Sequence, residues 1–274
     1  MSETKRVLIT VKTYPTISKK YDELVCTAGV LEDGTWIRIY PLPFRKLDYE
    51  NRYKKYQWIE LPLEKNTGDP RPESYHVTNI DKINLLNIVD TKDGWRERKR
   101  IVIEKTKIYT NLEELIMRAN KNELSLAVFK PNQIIDFLYK EVEREWSKEK
   151  LKLLKAKSQQ LSLFQTPEEV EYEFSVVPKL PYKFSYKLSD DSGRESTLMI
   201  EDWEIGMLYW NCLRESPNEE EALIKVRQKY LEEFSRKDIF LFLGTTKQFH
   251  GWAKNPFVII GVFYPPRQEQ LELF

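Results

Sequence analysis

The sequence predicts an α+β protein of two modules. The first is a β-rich, barrel-like or sandwich-like N-terminal domain with helices added late; the second is a C-terminal α+β domain of a hairpin, two helices and two strands. Three observations carry this reading. Apolar and polar residues alternate through most of residues 6–89, helical periods appear only after residue 110, and an aperiodic polar stretch divides the chain. The expected division is 1–157, a linker or arm at 158–176, a second domain at 177–266 and a tail at 267–274.

RVLITVKTY (6–14) alternates, and ELVCTAGVL (23–31) and TWIRIYPL (35–42) flank Glu32-Asp33-Gly34, a hairpin turn in which Gly34 can supply a positive φ. YQWIELPLE, SYHVTNI and INLLNIV continue the pattern to residue 89, with aromatic and β-branched residues suited to a pleated surface. Pro41, Pro43, Pro62, Pro70 and Pro72 favour short or edge strands, because proline has no N–H for the ladder. Thr110-Asn111-Leu112-Glu113 has the form of a capping box, followed by a stripe of Leu112, Leu115, Ile116 and Ala119. A basic helix is expected from Ser147. Beyond the linker, Asp190-Asp191-Ser192-Gly193 reads as a second hairpin turn. A helix from about Asp202 is expected to carry Trp203, Met207 and Trp210 on one face. Another opens at Pro217-Asn218 with three Glu in its first turn, which suits the helix dipole, and carries Leu223, Val226, Tyr230 and Phe234. IFLFLGT and FVIIGVFY close the domain as strands.

The chain has 274 residues, 41% of them hydrophobic and 32% charged, as expected of a globular protein with a heavily charged surface. No run approaches the ~18 apolar residues of a membrane span, and the N-terminus lacks the apolar core of a secretory signal. Cys26 and Cys212 are expected to be buried reduced thiols, so the cytoplasm is the expected location. His76 and His250 stand alone, which argues against a structural zinc. Residues 1–160 carry 31 Lys and Arg against 24 Asp and Glu, and residues 161–274 carry 13 against 19. An anionic partner is therefore expected on the first half.

Two short peptides stand out: Gln160-Leu161-Ser162-Leu163-Phe164 in the linker and Gln270-Leu271-Glu272-Leu273-Phe274 in the tail. Both resemble the Gln-Leu-Ser/Asp-Leu-Phe peptide with which bacterial polymerases, mismatch-repair proteins and other DNA-processing factors dock on the replicative sliding clamp. The internal copy matches throughout; the tail copy differs at Glu272, in the tolerant middle position. The resemblance covers ten residues and implies a bacterial sliding clamp as partner, in replication, repair or phage defence. The chemistry suits that use, since an extended Leu-Phe pair fills an apolar pocket at roughly 1.5–3 kcal/mol per side chain while the Gln amide fixes register. The alternative is that both segments pack Leu and Phe into their own core.

For the body, the leading expectation is DNA binding by the basic half. Arg45 and Lys46, then Lys54, Lys55 and Tyr56, then Trp95, Arg96, Arg98, Lys99 and Arg100 interleave cations with aromatic rings that can stack on bases. The bland reading is a solvated face laced with Glu97 and Glu104. A metal-dependent nuclease is the runner-up: Asp90-Thr91-Lys92 follows an apolar run, Asp81 lies upstream, and Mg²⁺ would then be the only cofactor expected. His250 is a weak candidate for a general base. A non-enzymatic adaptor is the third reading.

Overall fold

The computed structural model describes residues 2–15, 25–42, 47, 52–149, 152 and 177–267. Both Gln-Leu peptides, Arg45, Lys46 and most of the basic run 147–157 lie outside the described residues.

Six strands form the first sheet: β1 (Glu3–Lys12), β2 (Val25–Val30), β3 (Trp36–Leu42), β4 (Gln57–Lys65), β5 (Ser74–Val77) and β6 (Asn84–Ile88). Their order is β1-β2-β3-β5-β4-β6, and β1 also pairs with β4, which closes the first five into a barrel. β1 manages both partners by splitting its length. Leu8–Lys12 pair with β2 and Glu3–Ile9 with β4, with an irregularity between Ile9 and Val11 where the strand must bend. β3 and β5 run parallel. A five-stranded Greek-key barrel in this order is the OB arrangement, so the barrel expectation holds over the sandwich. Alternate residues, among them Val7, Ile9, Ile37, Ile39, Ile59 and Leu61, fill its interior.

The second sheet has seven strands: β7 (Ile108–Tyr109), β8 (Leu126–Phe129), β9 (Gln133–Glu141), β10 (Tyr182–Ser189), β11 (Glu195–Ile200), β12 (Phe240–Thr245) and β13 (Phe257–Phe263). Their order is β7-β8-β12-β13-β11-β10-β9. The two sheets therefore divide between β6 and β7, whereas the sequence reading kept residues up to 157 with the barrel. β8 pairs with β12, more than 100 positions later, and a local pattern carries no trace of so distant a partner.

Four helices lie among the described residues: α1 (Lys92–Lys99), α2 (Leu112–Asn120), α3 (Trp203–Arg214) and α4 (Glu219–Arg227). The second sheet is the middle layer. Leu241 and Leu243 of β12 face the core shared with α2, α3 and α4, while Phe240 and Phe242 face the barrel. β8 divides the same way, with Ala127 and Phe129 toward the helices and Leu126 and Val128 toward the barrel. Buried on both faces, these strands read as continuous apolar runs.

Asn111 and Asn218 cap α2 and α4, each accepting the N–H three residues on, and both expected stripes are buried. The buried face of α3 lies beside the expected stripe. Ile205, Tyr209 and Cys212 are buried, whereas Met207 is exposed. Gly206 presses against the Tyr14 ring, where a Cβ would lie 2.1 Å from Tyr14 Cδ2. Tyr14 accepts a hydrogen bond from Trp210 Nε1 at 2.8 Å and lies 6.3 Å from the Trp203 ring. The two tryptophans thus grip the end of β1 as the flanks of the packed face. Cys26 and Cys212 are free thiols, Cys212 buried and Cys26 half-buried.

Candidate nucleic-acid interface

Most of the aromatic members of the basic segment are internal. Trp95 sits in a left-handed turn with Asp93 and Gly94, at φ values of 65°, 50° and 62°. That conformation is costly for a tryptophan, and ring contacts with Phe263 at 5.6 Å and Tyr264 at 5.3 Å accompany it. Arg98 lies over the Tyr56 ring at 3.9 Å and the Trp95 ring at 5.0 Å, and its Nε donates to the Val89 carbonyl at 2.9 Å. Burial lowers the Arg98 pKa. Tyr56 is buried and packs on Phe263. Lys55 bonds Glu204 at 2.8 Å and lies 3.5 Å from Asp202, with its side chain 8% exposed. Trp95, Arg98, Tyr56 and Lys55 therefore clasp the barrel to β13 and α3. Tyr56, buried beneath Arg98, is not placed to stack on a base, while Trp95 is half-buried. The alternation of cations and rings expected of a nucleic-acid face is here a set of cation–π contacts inside the fold.

The remaining cations stand outside. Lys54 is exposed, Arg96 is 3.1 Å from Asp93 and mostly exposed, and Arg100 pairs with Glu97 at 2.6 Å. Arg96 and Lys99 open onto a groove of about 990 Å³ between α1 and the β8–β9 and β12 end of the second sheet. Lys130, Lys237 and Arg267 complete its basic lining; Asp93, Glu104 and Asp238 are its carboxylates. Lys130 pairs with Asp238. Among the described residues Arg267 donates only to neutral carbonyls, of Ser235 at 2.9 Å and Lys237 at 3.3 Å. Among the described residues Lys99, Lys237 and Arg267 have no carboxylate at ion-pair distance, so their charge is available to phosphate oxygens. Sequence reading missed Lys130, Lys237 and Arg267, because 137 positions of chain separate the first from the last.

The weak catalytic candidates do not converge. Asp81 lies exposed in a single turn, where its N–H is bonded by the Asn79 side chain at 2.9 Å. Asp90 accepts the Lys92 N–H at 3.0 Å, with the Lys92 ammonium 3.5 Å away and both side chains exposed, a local turn at the surface. No group of three or more His, Cys, Asp or Glu suited to a metal occurs among the described residues. His250 has both nitrogens engaged, Nδ1 3.0 Å from Thr245 Oγ1 and Nε2 2.7 Å from Asn122 Oδ1. Burial, then repulsion from Arg71 and Arg38, lowers its pKa. A neutral ring that donates to Asn122 and accepts from Thr245 fits these contacts.

Residues 105–274 match the model of a domain of unknown function, DUF8757. The chain belongs to the DUF8757 family. Residues 3–104 match a second domain of unknown function, DUF8758, so the two family models meet between β6 and β7, where the sheets divide. No curated protein matches the sequence. Among solved structures, a murine DNA-binding protein bound to double-stranded DNA aligns over 97% of this DUF8757 chain and 100% of its own, at 9% identity and a TM-score of 0.30. A likeness that low carries neither fold nor function across. No helix among the described residues is long and apolar enough to cross a membrane.

Proposed function

We propose that this protein associates with nucleic acid through the basic groove and docks on a bacterial sliding clamp through its Gln-Leu-x-Leu-Phe peptides. In this reading it is a cytoplasmic accessory factor of replication, repair or genome defence. The groove carries the reading: Lys99, Lys237 and Arg267 present charge that no carboxylate of the described residues neutralises, and Arg96 and Lys130 flank them. Chain order adds support, since Arg267 in the groove wall stands three positions before Gln270. A protein held by that peptide would keep its basic groove beside the clamp, and so beside the DNA that the clamp encircles.

The barrel offers only an analogy, and its usual binding face is covered. OB barrels bind oligonucleotides across strands 2 and 3 and the adjoining loops. Here Ala28, Val30 and Trp36 of that face pack against β8, β12 and β13, with Trp36 5.5 Å from the Phe242 ring. A strand laid across it would have to displace the second sheet. The open basic groove is the better path. Neither the nuclease nor the adaptor reading has a comparable observation behind it.

Calorimetry tests the clamp half. The wild-type protein is expected to bind a bacterial sliding clamp with micromolar or tighter affinity, and Leu273→Ala with Phe274→Ala to weaken it at least tenfold, ~1.4 kcal/mol. Absence of wild-type binding would remove the clamp from the account and leave the groove.

A further inference from the structure

The loop that joins β12 to β13, residues 246–256, presents two aromatic rings to solvent. Phe249 is 41% exposed and Trp252 68%, the most exposed large hydrophobic side chain among the described residues. Their centroids lie 5.7 Å apart with the planes tilted by 57°, so the rings form an open apolar corner rather than a closed stack.

The loop is built to hold them there. The Phe249 and His250 N–H groups donate to the Thr246 carbonyl at 3.2 and 3.0 Å, and the Ala253 N–H donates to the Phe249 carbonyl at 3.1 Å. His250 ties the loop inward between Thr245 and Asn122, and Lys247 Nζ donates to the Gly68 carbonyl in the β4–β5 connection. Exposed loop tips are ordinarily small and polar, and two large rings left in water forgo the gain of burial. Trp252 Nε1 donates to the Gln248 carbonyl at 2.8 Å. With its one polar group spent inside the loop, the indole offers a partner its faces, which suits stacking rather than hydrogen-bonded recognition.

The free charge beside the rings has one sign. The sequence has no Asp or Glu between Asp238 and Glu269, whereas Lys247 and Lys254 fall within the loop. Both are exposed, as is Lys121 beside Asn122. Among the described residues none of these three lysines has a carboxylate at ion-pair distance. The carboxylates of the neighbouring segments are engaged. Asp69 pairs with Arg71 at 2.6 Å and Glu123 with Arg118 at 3.0 Å, while Glu73 accepts the Ser125 N–H at 2.8 Å. Apolar faces bordered by cations fit a ligand of flat rings joined by anionic links.

We propose that the β12–β13 loop is a second nucleic-acid site, one that takes unpaired bases of a single strand. Trp252 and Phe249 receive the base faces, and Lys121 and Lys254 meet the flanking phosphates. Bases inside a duplex have both faces covered by their neighbours and gain nothing here. β12 runs from the basic groove, whose wall includes Phe240, to Thr245 at the foot of the loop. Its six residues set the two sites roughly 20 Å apart, at ~3.3 Å per residue. The choice of nucleic acid as the ligand rests on the groove reading; the position of the site does not.

Photocrosslinking of the full chain at low salt separates the two sites. A single-stranded decamer of deoxythymidine carrying 5-iododeoxyuridine is irradiated with the protein, and the crosslinked peptides are mapped by mass spectrometry. Crosslinks are expected at Trp252 or Phe249, and to persist when Lys99→Ala, Lys237→Ala and Arg267→Ala are combined. Fluorescence anisotropy gives the affinity. Trp252→Ala with Phe249→Ala is expected to weaken single-strand binding at least about fivefold, the low end of base–aromatic stacking, without changing the salt slope or the duplex affinity. Trp252→Phe is expected to keep most of the affinity, since a stacking face remains. Crosslinks confined to the groove would overturn the loop site and leave the groove standing. Crosslinks at Trp252, with a groove variant whose salt slope matches wild type, would support the loop and remove the groove. No binding of the decamer, a folded Trp252→Ala/Phe249→Ala protein with wild-type single-strand affinity, an equal loss of duplex affinity, or sedimentation with anionic vesicles that needs the loop while strand binding does not would each overturn the proposal.

Discussion

Lys55→Ala is expected to lower the unfolding free energy by roughly 3–5 kcal/mol, the range found when one partner of a buried ion pair is removed. Asp202 is fully buried and Lys55 lies 3.5 Å away, so the substitution leaves a carboxylate with no ammonium in a site water does not reach. Burial pushes the Asp202 carboxyl well above the usual carboxylate range, and Lys55 is what opposes that rise. Lys55→Met with Asp202→Leu is expected to recover most of the loss, because apolar groups of similar size need no counter-charge. Recovery stays incomplete by about 1 kcal/mol, the worth of a helix cap, since Asp202 Oδ1 accepts the Glu204 N–H at the start of α3. Urea denaturation of the three proteins checks this. A Lys55→Ala protein as stable as wild type would show that water reaches the pair.

Stability is expected to rise between about pH 8 and pH 10, against the usual decline on the alkaline side. Lys12, at the end of β1, has its pKa lowered to about 8, first by burial and then by repulsion from Lys55. In the unfolded chain it titrates near 10.5. Between these values the unfolded state holds the proton and the folded state does not, so stability increases with pH. Complete relief would amount to roughly 3–4 kcal/mol, from about 1.4 kcal/mol per pKa unit. Above pH 10 the buried Tyr53 and Tyr56 reverse the trend. Burial raises their folded pKa, so the unfolded state alone ionises there. Lys12→Met is expected to flatten the pH 8–10 limb of a thermal-denaturation profile. An equal rise in that variant would assign the effect to another group.

Local chemistry was legible in the sequence wherever one residue decides it. Gly34 and Gly193 turn their hairpins at φ values of 87° and 81°, and Asn111 and Asn218 cap their helices because their side chains reach the free N–H groups of the first turn. Barrel closure was less visible, since it depends on β1 exchanging one partner for another midway. The assignment of β8 and β9 to the second sheet was invisible, because β12 and β10, which join them to the rest of that sheet, lie beyond residue 180. The basic segment was half readable. Arg96 and Lys99 do line a groove, but residue type does not distinguish a ring that stacks on a base from one that receives its own arginine, as Tyr56 receives Arg98.

Fluorescence anisotropy of the full-length protein with a short duplex and its single strand, at three salt concentrations, tests the account most directly. The wild type is expected to bind at low salt, with affinity falling linearly in log–log terms as counterions are released. Replacing Lys99, Lys237 and Arg267 together by alanine is expected to flatten that slope by about two to three units, at roughly 0.7–0.9 per lost phosphate contact. The full chain is required, because truncation at residue 157 would separate β8 and β9 from β12 and β10. A wild-type protein without measurable affinity at low salt, or a folded triple variant with an unchanged slope, would contradict the assignment of the groove to nucleic acid.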